Sequence, residues 1–307
     1  MSSTLSDHVD DYLRLRRALG YKLERAGRLL PQFIDYLQAA GATTVTSDLA
    51  ISWAREATNA RPNYWAARLA VVRGFARYLH TIDSTTQIPP AGVFPTRRHR
   101  PAPYLWSEQD IHRVLDATAT LSTPLKAATY QALFGLLAVS GMRGGEAVGL
   151  DRDDFDITSG VITIRHAKFD RPRLVPLHPT TTTALHAYLG ERDQLCPAPT
   201  SAALFITGTG GRLNRSEIAK TLRQLTTATG LRTDTVHPTP HQLRHSFAVR
   251  TMIDWHRSGV SIDDRIAVLS TYLGHVSPAD TYWYLSASPE LMSLAADRLA
   301  AHTGDHQ

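Results

Sequence analysis

Cysteine, lysine and long apolar segments are scarce in this sequence, and two of these scarcities exclude a class of protein. The 307 residues include one cysteine, Cys196, so a fold held by intramolecular disulfides is excluded. The most apolar run, residues 130–141, is too short to span a bilayer and predicts a buried core helix. The first residues lack a basic region followed by an apolar stretch. A secretion signal is therefore not expected, and the cytoplasm is the predicted compartment.

The chain does have many apolar residues and a modest excess of positive charge. A hydrophobic fraction of 43% over 307 residues predicts two ordered domains. There are 33 basic and 28 acidic residues, and the excess lies in residues 1–98, which carry 13 basic and 8 acidic side chains. Only four basic residues are lysines. Genomic base composition explains most of this bias toward arginine, although a guanidinium also binds phosphate oxygens well, so the bias does not identify a partner.

The first third of the chain has the periodicity of helices. Apolar residues recur at helical spacing over residues 26–37 and 65–79, with Gly20 and Gly41 as expected breaks, which predicts about four helices. Basic residues at neighbouring helical positions are candidates for binding a DNA backbone, with solvated surface charge as the alternative. These candidates are Arg14, Arg17, Lys22, Arg25, Arg73 and Arg77.

The composition changes between His80 and Pro103. This stretch contains five prolines and no hydrophobic period, so it predicts a linker between the two domains. Its RRHR cluster includes Arg97 and Arg98, which either lie along a nucleic-acid backbone or are solvated.

A second domain is predicted to begin near Ser107, a helix N-cap with Asp110 at the third helical position. Helical patterns continue to about Leu150, and the period then becomes that of strands over residues 154–177. Helical patterns return from Thr180 onward. The predicted fold class is therefore mainly α with a small antiparallel sheet of about three strands (α+β).

Two candidate phosphate-binding features lie in the first half of this domain. In SGMRGGEAVGL, Arg143 stands near the start of a new helix, where free backbone N–H groups also attract anions. Glu146 either orients that arginine or interacts with the positive end of the helix. Lys168 lies at or near the turn of the predicted hairpin, where an ammonium group that reaches a site could protonate a leaving alkoxide. Taken singly, Arg143 and Lys168 are also typical of an ordinary surface.

The motif HQLRHSFAVR supplies a third feature. His241 and Arg244 share one helix face, so an imidazole and a guanidinium could bind the same ligand. His241 and His245 also have the spacing of a zinc-binding helix. However, position 242 is a glutamine where a metalloprotease has its glutamate, and no third ligand is evident, so a metal site is not expected.

The motif LGHVSPADTYWYL completes the set with His275 and, nine residues later, Tyr284. By itself, such an aromatic run is typical of core packing. Together, the four motifs supply two guanidiniums for the oxygens of a phosphodiester, an ammonium as acid, imidazoles to donate hydrogen bonds and a phenol as nucleophile. Phosphoryl transfer depends above all on positioning and charge stabilisation. This set supplies both, so neither a metal nor another cofactor is expected.

In GMRGGEAVGL, AKFDRPRLVPL, HQLRHSFA and LGHVSPADTYWYL, the sequence resembles the tyrosine recombinases, or phage integrase family, which includes XerC and XerD. The resemblance covers about residues 105–302. It implies that Arg143 and Arg244 clamp the scissile phosphate and that Lys168 is the general acid to the 5′-oxygen. It further implies roles for three residues: His241 as acid/base or orienting group, His275 as hydrogen-bond donor to phosphate, and Tyr284 as the nucleophile that forms a 3′-phosphotyrosine.

The same resemblance implies an organisation and partners. Residues 1–98 would be a helical SAM-like core-binding domain, 99–104 the end of the linker, and 105–307 the catalytic domain with a C-terminal docking segment. The two domains would close around duplex DNA at a specific recombination site. Four protomers, copies of this chain or sister recombinases, would exchange strands through a Holliday junction. A bacterial cytoplasmic protein that joins the nucleoid when bound to DNA is implied, without a membrane partner.

Some features differ from XerC and XerD. Gly144 and Gly145 precede the glutamate, Phe169 follows the lysine, and the stretch from Val249 to Leu273 is long. The long stretch and the STYLGHVSPADTYWYL wording look more like the transposon-encoded recombinases that integrate or excise a mobile element. Two alternatives share parts of this interpretation: a DNA-relaxing enzyme of the type IB topoisomerase kind, and a non-catalytic DNA-binding accessory subunit of a tandem recombinase system.

Overall fold

The computed structural model describes residues 4–58, 60, 62–95, 103–165, 172–275, 277, 279–284, 290–294 and 296. The chain divides into two units, Met1–Arg100 and Pro101–Gln307, and each unit has its own apolar core. Across the described part of the chain, no helix is both long enough and apolar enough to cross a membrane.

Local sequence sets the helix ends of the first unit. Its described helices are α1 (Leu5–Ala18), α2 (Glu24–Ala39), α3 (Ser47–Arg55) and α4 (Pro62–His80). Thr4 begins α1 through a reciprocal capping box with Asp7. Gly20 and Gly41, both with positive φ, follow the ends of α1 and α2. The apolar stripe predicted over 26–37 is buried, so the predicted helical organisation is confirmed here.

The stretch after α4 is packed more closely than its prolines predict. Phe94 is buried, with its ring centroid 5.9 Å from that of Trp65. Gln87 donates its backbone N–H to the Val45 carbonyl at 2.8 Å. Residues 81–95 therefore belong to the first unit, and the predicted linker is wrong for this part. An irregular segment can bury single apolar residues without any hydrophobic period.

The second unit is built around one buried helix. Its first helices are α5 (Glu108–Ala117), α6 (Pro124–Ser140) and α7 (Gly144–Gly149). Later helices are α8 (Pro179–Leu195), α9 (Arg215–Ala228), α10 (Pro240–Arg257), α11 (Ile262–Leu273) and α12 (Ala279–Tyr282). Ser107 and Asp110 form the predicted capping box of α5. Helix α6 contains the predicted apolar core segment, and α8 and α10 pack against it.

Three short strands form an antiparallel sheet within the described residues, in the order β1-β2-β3. They are β1 (Phe155–Asp156), β2 (Val161–Ile164) and β3 (Arg173–Pro176). Ile162 pairs with Val175, and both are buried in the main core, as the alternating pattern predicts. Residues 166–171, between β2 and β3, lie outside the described residues, and so does Lys168.

The last helices form a smaller core beside α10. Met252 of α10 packs there with Leu273 of α11, and Tyr284 and Leu291 complete the cluster. Helix α11 also packs against β3. The end of α11 therefore lies between the sheet and the region that follows α12.

Candidate active site

Helix α6 ends at a glycine whose carbonyl holds a buried arginine. Gly141 has a left-handed backbone, with φ of 60°, and a Cβ there would lie 2.5 Å from the Phe247 ring. Its carbonyl accepts a hydrogen bond of 2.9 Å from Arg244 Nη1. Two residues later, Arg143 occupies the N-cap position of α7. The turn between the two helices thus brings Arg143 and Arg244 together.

The C-terminal end of α11 binds both of these guanidinium groups. The Leu273 carbonyl accepts from Arg244 Nη2 at 2.8 Å and from Arg143 Nη1 at 3.4 Å. Arg143 Nη2 also donates to the Gly274 carbonyl at 3.0 Å. The last carbonyls of a helix lack partners within the helix and carry partial negative charge. This helix end therefore stabilises two cations that would otherwise repel each other.

Arg173 of β3 is a third arginine at the same helix end, and it was not predicted. Its Nε donates to the Tyr272 carbonyl at 2.9 Å. Its guanidinium lies against Gly274, where a Cβ would stand 2.6 Å from Nη1. Gly274 also has a positive φ of 67°. Glycine is therefore favoured at this position both by the backbone and by the close approach of Arg173.

Glu146 joins two of the arginines. One carboxylate oxygen accepts from Arg143 Nη1 at 2.8 Å and from Arg173 Nη1 at 3.1 Å. The other accepts from Arg173 Nη2 at 2.7 Å and from the Arg143 backbone N–H at 3.0 Å. Burial alone would raise the pKa of this carboxyl, but Arg173 and then Arg143 lower it to about 2. Glu146 is thus ionised at neutral pH and bridges the two arginines. Its contact with Arg143 is the one that it needs in order to orient that side chain.

Arg244 is almost fully enclosed, with 1% of its surface exposed. Burial, and then the charge of Arg143, lowers its pKa to about 10, while contact with Tyr284 and the charge of Glu146 oppose the shift. Arg244 therefore keeps its charge at neutral pH. A guanidinium has five N–H donors, and the Nε–H of Arg244 has no acceptor among the described residues. The guanidinium thus has a buried donor that the described residues leave unsatisfied.

His275 follows α11 and is held from two sides. Its backbone N–H donates to the Ser270 carbonyl at 2.9 Å, and its Nδ1 lies 2.7 Å from the Thr281 hydroxyl oxygen. Burial, and then the charges of Arg244 and Arg143, lowers its pKa to about 4. The imidazole is therefore neutral at pH 7 and carries one N–H.

Tyr284 is buried, with 2% of its surface exposed, among the histidines of the site. Its ring centroid lies 5.8 Å from that of His275, in a stacked arrangement, and 5.1 Å from that of His245. His241 is exposed at the start of α10, and its ring lies 4.5 Å from that of His245. His245 therefore connects the two predicted residues His241 and Tyr284.

The predicted DNA-binding residues of the first unit are spread over its surface. Arg14, Arg17, Lys22, Arg25 and Arg77 are exposed, and Arg73 is partly buried. Arg14 pairs with Asp11 on the same helix, and Arg73 Nη1 donates to the Pro90 carbonyl at 3.4 Å. Arg97 and Arg98 lie outside the described residues.

Arg173 and His245 are the site residues that sequence reasoning missed. Arg173 reaches Glu146 across 27 positions of the chain, a separation that no helical or strand spacing indicates. His245 was considered only as a metal partner of His241. One signal is available in the sequence: a glutamate directly before the apolar stretch AVGL can be buried only if cations or hydrogen-bond donors pair with it, which indicates partners for Glu146.

The arrangement suits an anionic ligand. Three guanidiniums, from Arg143, Arg173 and Arg244, stand against the single carboxylate of Glu146. Such a preorganised excess of positive charge stabilises negative charge that develops on phosphate oxygens. In the part of the chain that the structure describes, no group of three or more His, Cys, Asp or Glu residues could hold a metal ion.

Two kinds of sequence comparison agree on the family. The phage integrase family matches residues 106–290, which is more than half of the chain. The putative integrase/recombinase y4rB of Sinorhizobium fredii is 43% identical over 305 residues, which cover 97% of each chain. The tyrosine recombinase XerC of Azotobacter vinelandii is 33% identical over 219 residues, 71% of this chain and 68% of that protein.

Solved structures share the fold. The Tn1549 transposon integrase in complex with transposon right end DNA superposes with a TM-score of 0.65 at 16% identity, over 95% of this chain and 99% of that chain. Lambda integrase, as a tetramer bound to a Holliday junction, gives 0.62 at 15% identity, over 92% and 77%. Both likenesses concern the mainly helical fold. The sequence matches establish that the chain belongs to the phage integrase family and is a tyrosine-type site-specific DNA recombinase.

Proposed function

We propose that this recombinase integrates or excises a mobile element, by cutting and rejoining DNA strands through a 3′-phosphotyrosine intermediate and a Holliday junction. The observation that carries the proposal is the position of Tyr284, whose phenol contacts Arg244 and stacks on His275. A nucleophile, a guanidinium and a hydrogen-bond donor thus occupy one place. The likeness to a transposon integrase and to putative integrases of S. fredii supports the role in a mobile element.

In the first step, the Tyr284 hydroxyl oxygen attacks phosphorus, and the bond from phosphorus to the 5′-oxygen breaks. Arg143 and Arg244 bind the non-bridging oxygens and neutralise the charge that develops on them. His275 donates a hydrogen bond to one of these oxygens. Glu146 and the end of α11 hold the two arginines close together before DNA binds.

Two proton transfers accompany this step. Lys168, which lies between β2 and β3 in the sequence, gives a proton to the departing 5′-oxygen. The phenol proton of Tyr284 passes to His241 or to solvent as the new bond forms. His241 assists as acid/base or orienting group, since it contacts His245, which in turn contacts Tyr284.

The second step reverses the first on another duplex. The phosphotyrosine bond retains the energy of the broken phosphodiester, so a 5′-hydroxyl of a second strand can attack phosphorus and release Tyr284. The new phosphodiester forms without an external energy source. We therefore propose that the reaction requires no cofactor.

We propose that residues 1–98 form a core-binding domain that binds duplex DNA, and that residues 105–307 form the catalytic domain. The support is charge: the excess of basic over acidic residues lies in 1–98. Basic residues there would contact phosphates, and such contacts supply affinity that does not depend on sequence. The proposed phosphate-binding residues are Arg14, Arg17, Lys22, Arg25, Arg73, Arg77, Arg97 and Arg98.

We further propose that four protomers assemble on DNA, either copies of this chain or sister recombinases. The support is the similarity to lambda integrase, which was solved as a tetramer bound to a Holliday junction. The C-terminal segment 290–304 would dock on a neighbouring protomer. Leu291, at its start, is buried in its own chain, so docking is assigned to the residues that follow.

The test is covalent trapping on a nicked suicide duplex that bears an end of the element. The wild-type protein is expected to form an adduct that survives denaturing electrophoresis, and Tyr284→Phe is expected to form none. Tyr282→Phe is the matched control, because Tyr282 lies two residues away and is 45% exposed. It is expected to react like the wild type.

Three outcomes would contradict the proposal in different ways. An adduct with Tyr284→Phe would show that the nucleophile is another residue. Equal adduct formation on a scrambled duplex would favour a relaxing enzyme of the type IB topoisomerase kind. Complete strand exchange by Tyr284→Phe together with a sister recombinase would favour an accessory subunit.

A further inference from the structure

One threonine contacts the proposed phosphate-binding histidine directly. Thr281 lies in α12 and is completely buried, and its hydroxyl oxygen is 2.7 Å from His275 Nδ1. The contact joins two residues that are six positions apart and that both precede Tyr284 in the sequence. Thr281 therefore connects the histidine to the short helix that directly precedes the nucleophile.

The direction of this hydrogen bond follows from the surroundings of the hydroxyl. Thr251 and Thr271, also in helices, donate to carbonyls four residues earlier, at 2.9 and 3.0 Å. Thr281 makes no such bond, and among the described residues its hydroxyl has His275 as its one hydrogen-bond partner. A buried hydroxyl hydrogen needs an acceptor. The imidazole Nδ1 is the acceptor at hand.

The direction matters because a neutral imidazole has only one N–H. His275 is neutral at pH 7, since burial and the adjacent arginines lower its pKa to about 4. With the proton on Nδ1, Nε2 would present a lone pair to a phosphate oxygen and repel it. With the proton on Nε2, the same nitrogen donates a hydrogen bond. The partner of Nδ1 thus decides whether His275 can bind the phosphate.

We propose that Thr281 is a positioning residue that fixes His275 in its Nε2–H tautomer, by donating its hydroxyl hydrogen to Nδ1, so that Nε2–H faces the scissile phosphate. The inference rests on the proposed role of His275 in phosphate binding. It concerns orientation and tautomer only, since Thr281 itself does not touch the DNA.

The experiment compares Thr281→Val, which keeps the shape and loses the hydroxyl, with Thr281→Ser, which keeps the hydroxyl. Thr271→Val is the matched control, because it removes an exposed helical hydroxyl that bonds within its own helix. Adduct formation on the suicide duplex gives the cleavage rate, and a gel shift gives the DNA affinity. Two-bond ¹H–¹⁵N spectra of the histidine rings identify the tautomer, with the His275 signal assigned by its loss in His275→Asn.

We expect an Nε2–H signal for His275 in the wild-type protein and in Thr281→Ser. Thr281→Val is expected to shift it toward Nδ1–H and to slow cleavage about ten- to a hundredfold, the range seen when a metal-binding histidine loses the hydrogen-bond partner that orients it. DNA affinity is expected to stay within about twofold, because binding is distributed over many phosphates. Thr281→Ser and Thr271→Val are expected to cleave within about threefold of the wild-type rate, since a retained or remote hydroxyl leaves the tautomer unchanged.

An Nδ1–H tautomer in the wild-type protein would overturn the proposal even if Thr281→Val failed to fold. An unchanged tautomer or an unchanged cleavage rate in Thr281→Val would also overturn it. If the wild-type protein formed no adduct on any duplex, the proposed function would fail instead. The tautomer measurement would still decide on Thr281.

Discussion

Replacement of Glu146 by glutamine tests how the arginine cluster is held. Glutamine keeps the size of the side chain and removes its charge. One of its two polar ends becomes a donor, which cannot accept from Arg173 or Arg143. Since Glu146 is 7% exposed and bridges both arginines, the variant would leave two cations facing each other without their common anion.

The magnitude follows from the pKa of the carboxyl. Burial opposes ionisation, but the two arginines lower the pKa from 4.5 to about 2. At 1.36 kcal/mol per unit, the ionised form stabilises the folded state by about 3 kcal/mol. Breaking a buried ion pair by removing one partner costs about 3–5 kcal/mol, which agrees. For a unit of this size, about 3 kcal/mol corresponds to a fall in Tm of roughly 6–12 °C.

The pH dependence has a definite sign. A carboxyl with a lowered pKa in the folded protein contributes its full stabilisation above its unfolded pKa and loses it as pH falls through the folded pKa. The stability difference between the wild-type protein and Glu146→Gln should therefore be constant from pH 7 to 5. It should shrink as pH falls from about 4.5 toward 2.

The assay is urea unfolding of both proteins at pH 7, 5, 4 and 3, followed by tryptophan fluorescence. Glu191→Gln is the control, because Glu191 is exposed on α8 and its loss of charge is expected to change stability by at most about 0.5 kcal/mol. Equal free energies of unfolding for Glu146→Gln and the wild-type protein at pH 7 would show that the ion pairs of Glu146 with Arg143 and Arg173 do not stabilise the fold. A difference that does not shrink below pH 4.5 would refute its electrostatic origin.

Two further predictions concern the helix end at the site and the DNA-binding face. Gly274→Ala should destabilise the protein by about 2 kcal/mol, because the backbone there has a positive φ and the new Cβ would crowd Arg173. Thermal melting measures the effect. Gly149→Ala is the mild control, because a Cβ at that position has no atom within 4 Å. A melting temperature of Gly274→Ala equal to that of the wild-type protein would argue against that crowding. Changing Arg73 and Arg77 to glutamate should weaken DNA binding. The slope of log affinity against log salt concentration should fall in magnitude by about two, since each lost phosphate contact lowers it by roughly one. Gel shifts between about 50 and 200 mM salt measure this slope. An unchanged slope would place this face away from DNA.

Local rules predicted the parts of the fold that depend on neighbours in sequence. Ser107 and Asp110 begin α5 through contacts three residues apart, and strands appear where apolar residues alternate. Phe94 shows the limit, since its burial depends on Trp65, which is distant in the chain. Pattern alone cannot distinguish an ordered irregular segment from a linker.

The same distinction applies to the site. The motifs identified Arg143, Arg244, His275 and Tyr284, which the structure places together. Neither the bridge from Glu146 to Arg173 nor the contact from Thr281 to His275 has a spacing that a helix or strand would explain. Such contacts form only after tertiary packing, so their residue types carry no local signal.

The end of α11 has a mechanical consequence. Arg143, Arg173 and Arg244 come from three separate elements, yet each donates to a carbonyl between Tyr272 and Gly274. A displacement of that single backbone segment would break contacts of all three guanidiniums together. The positions of three charges from three elements are therefore coupled to the position of one short backbone segment.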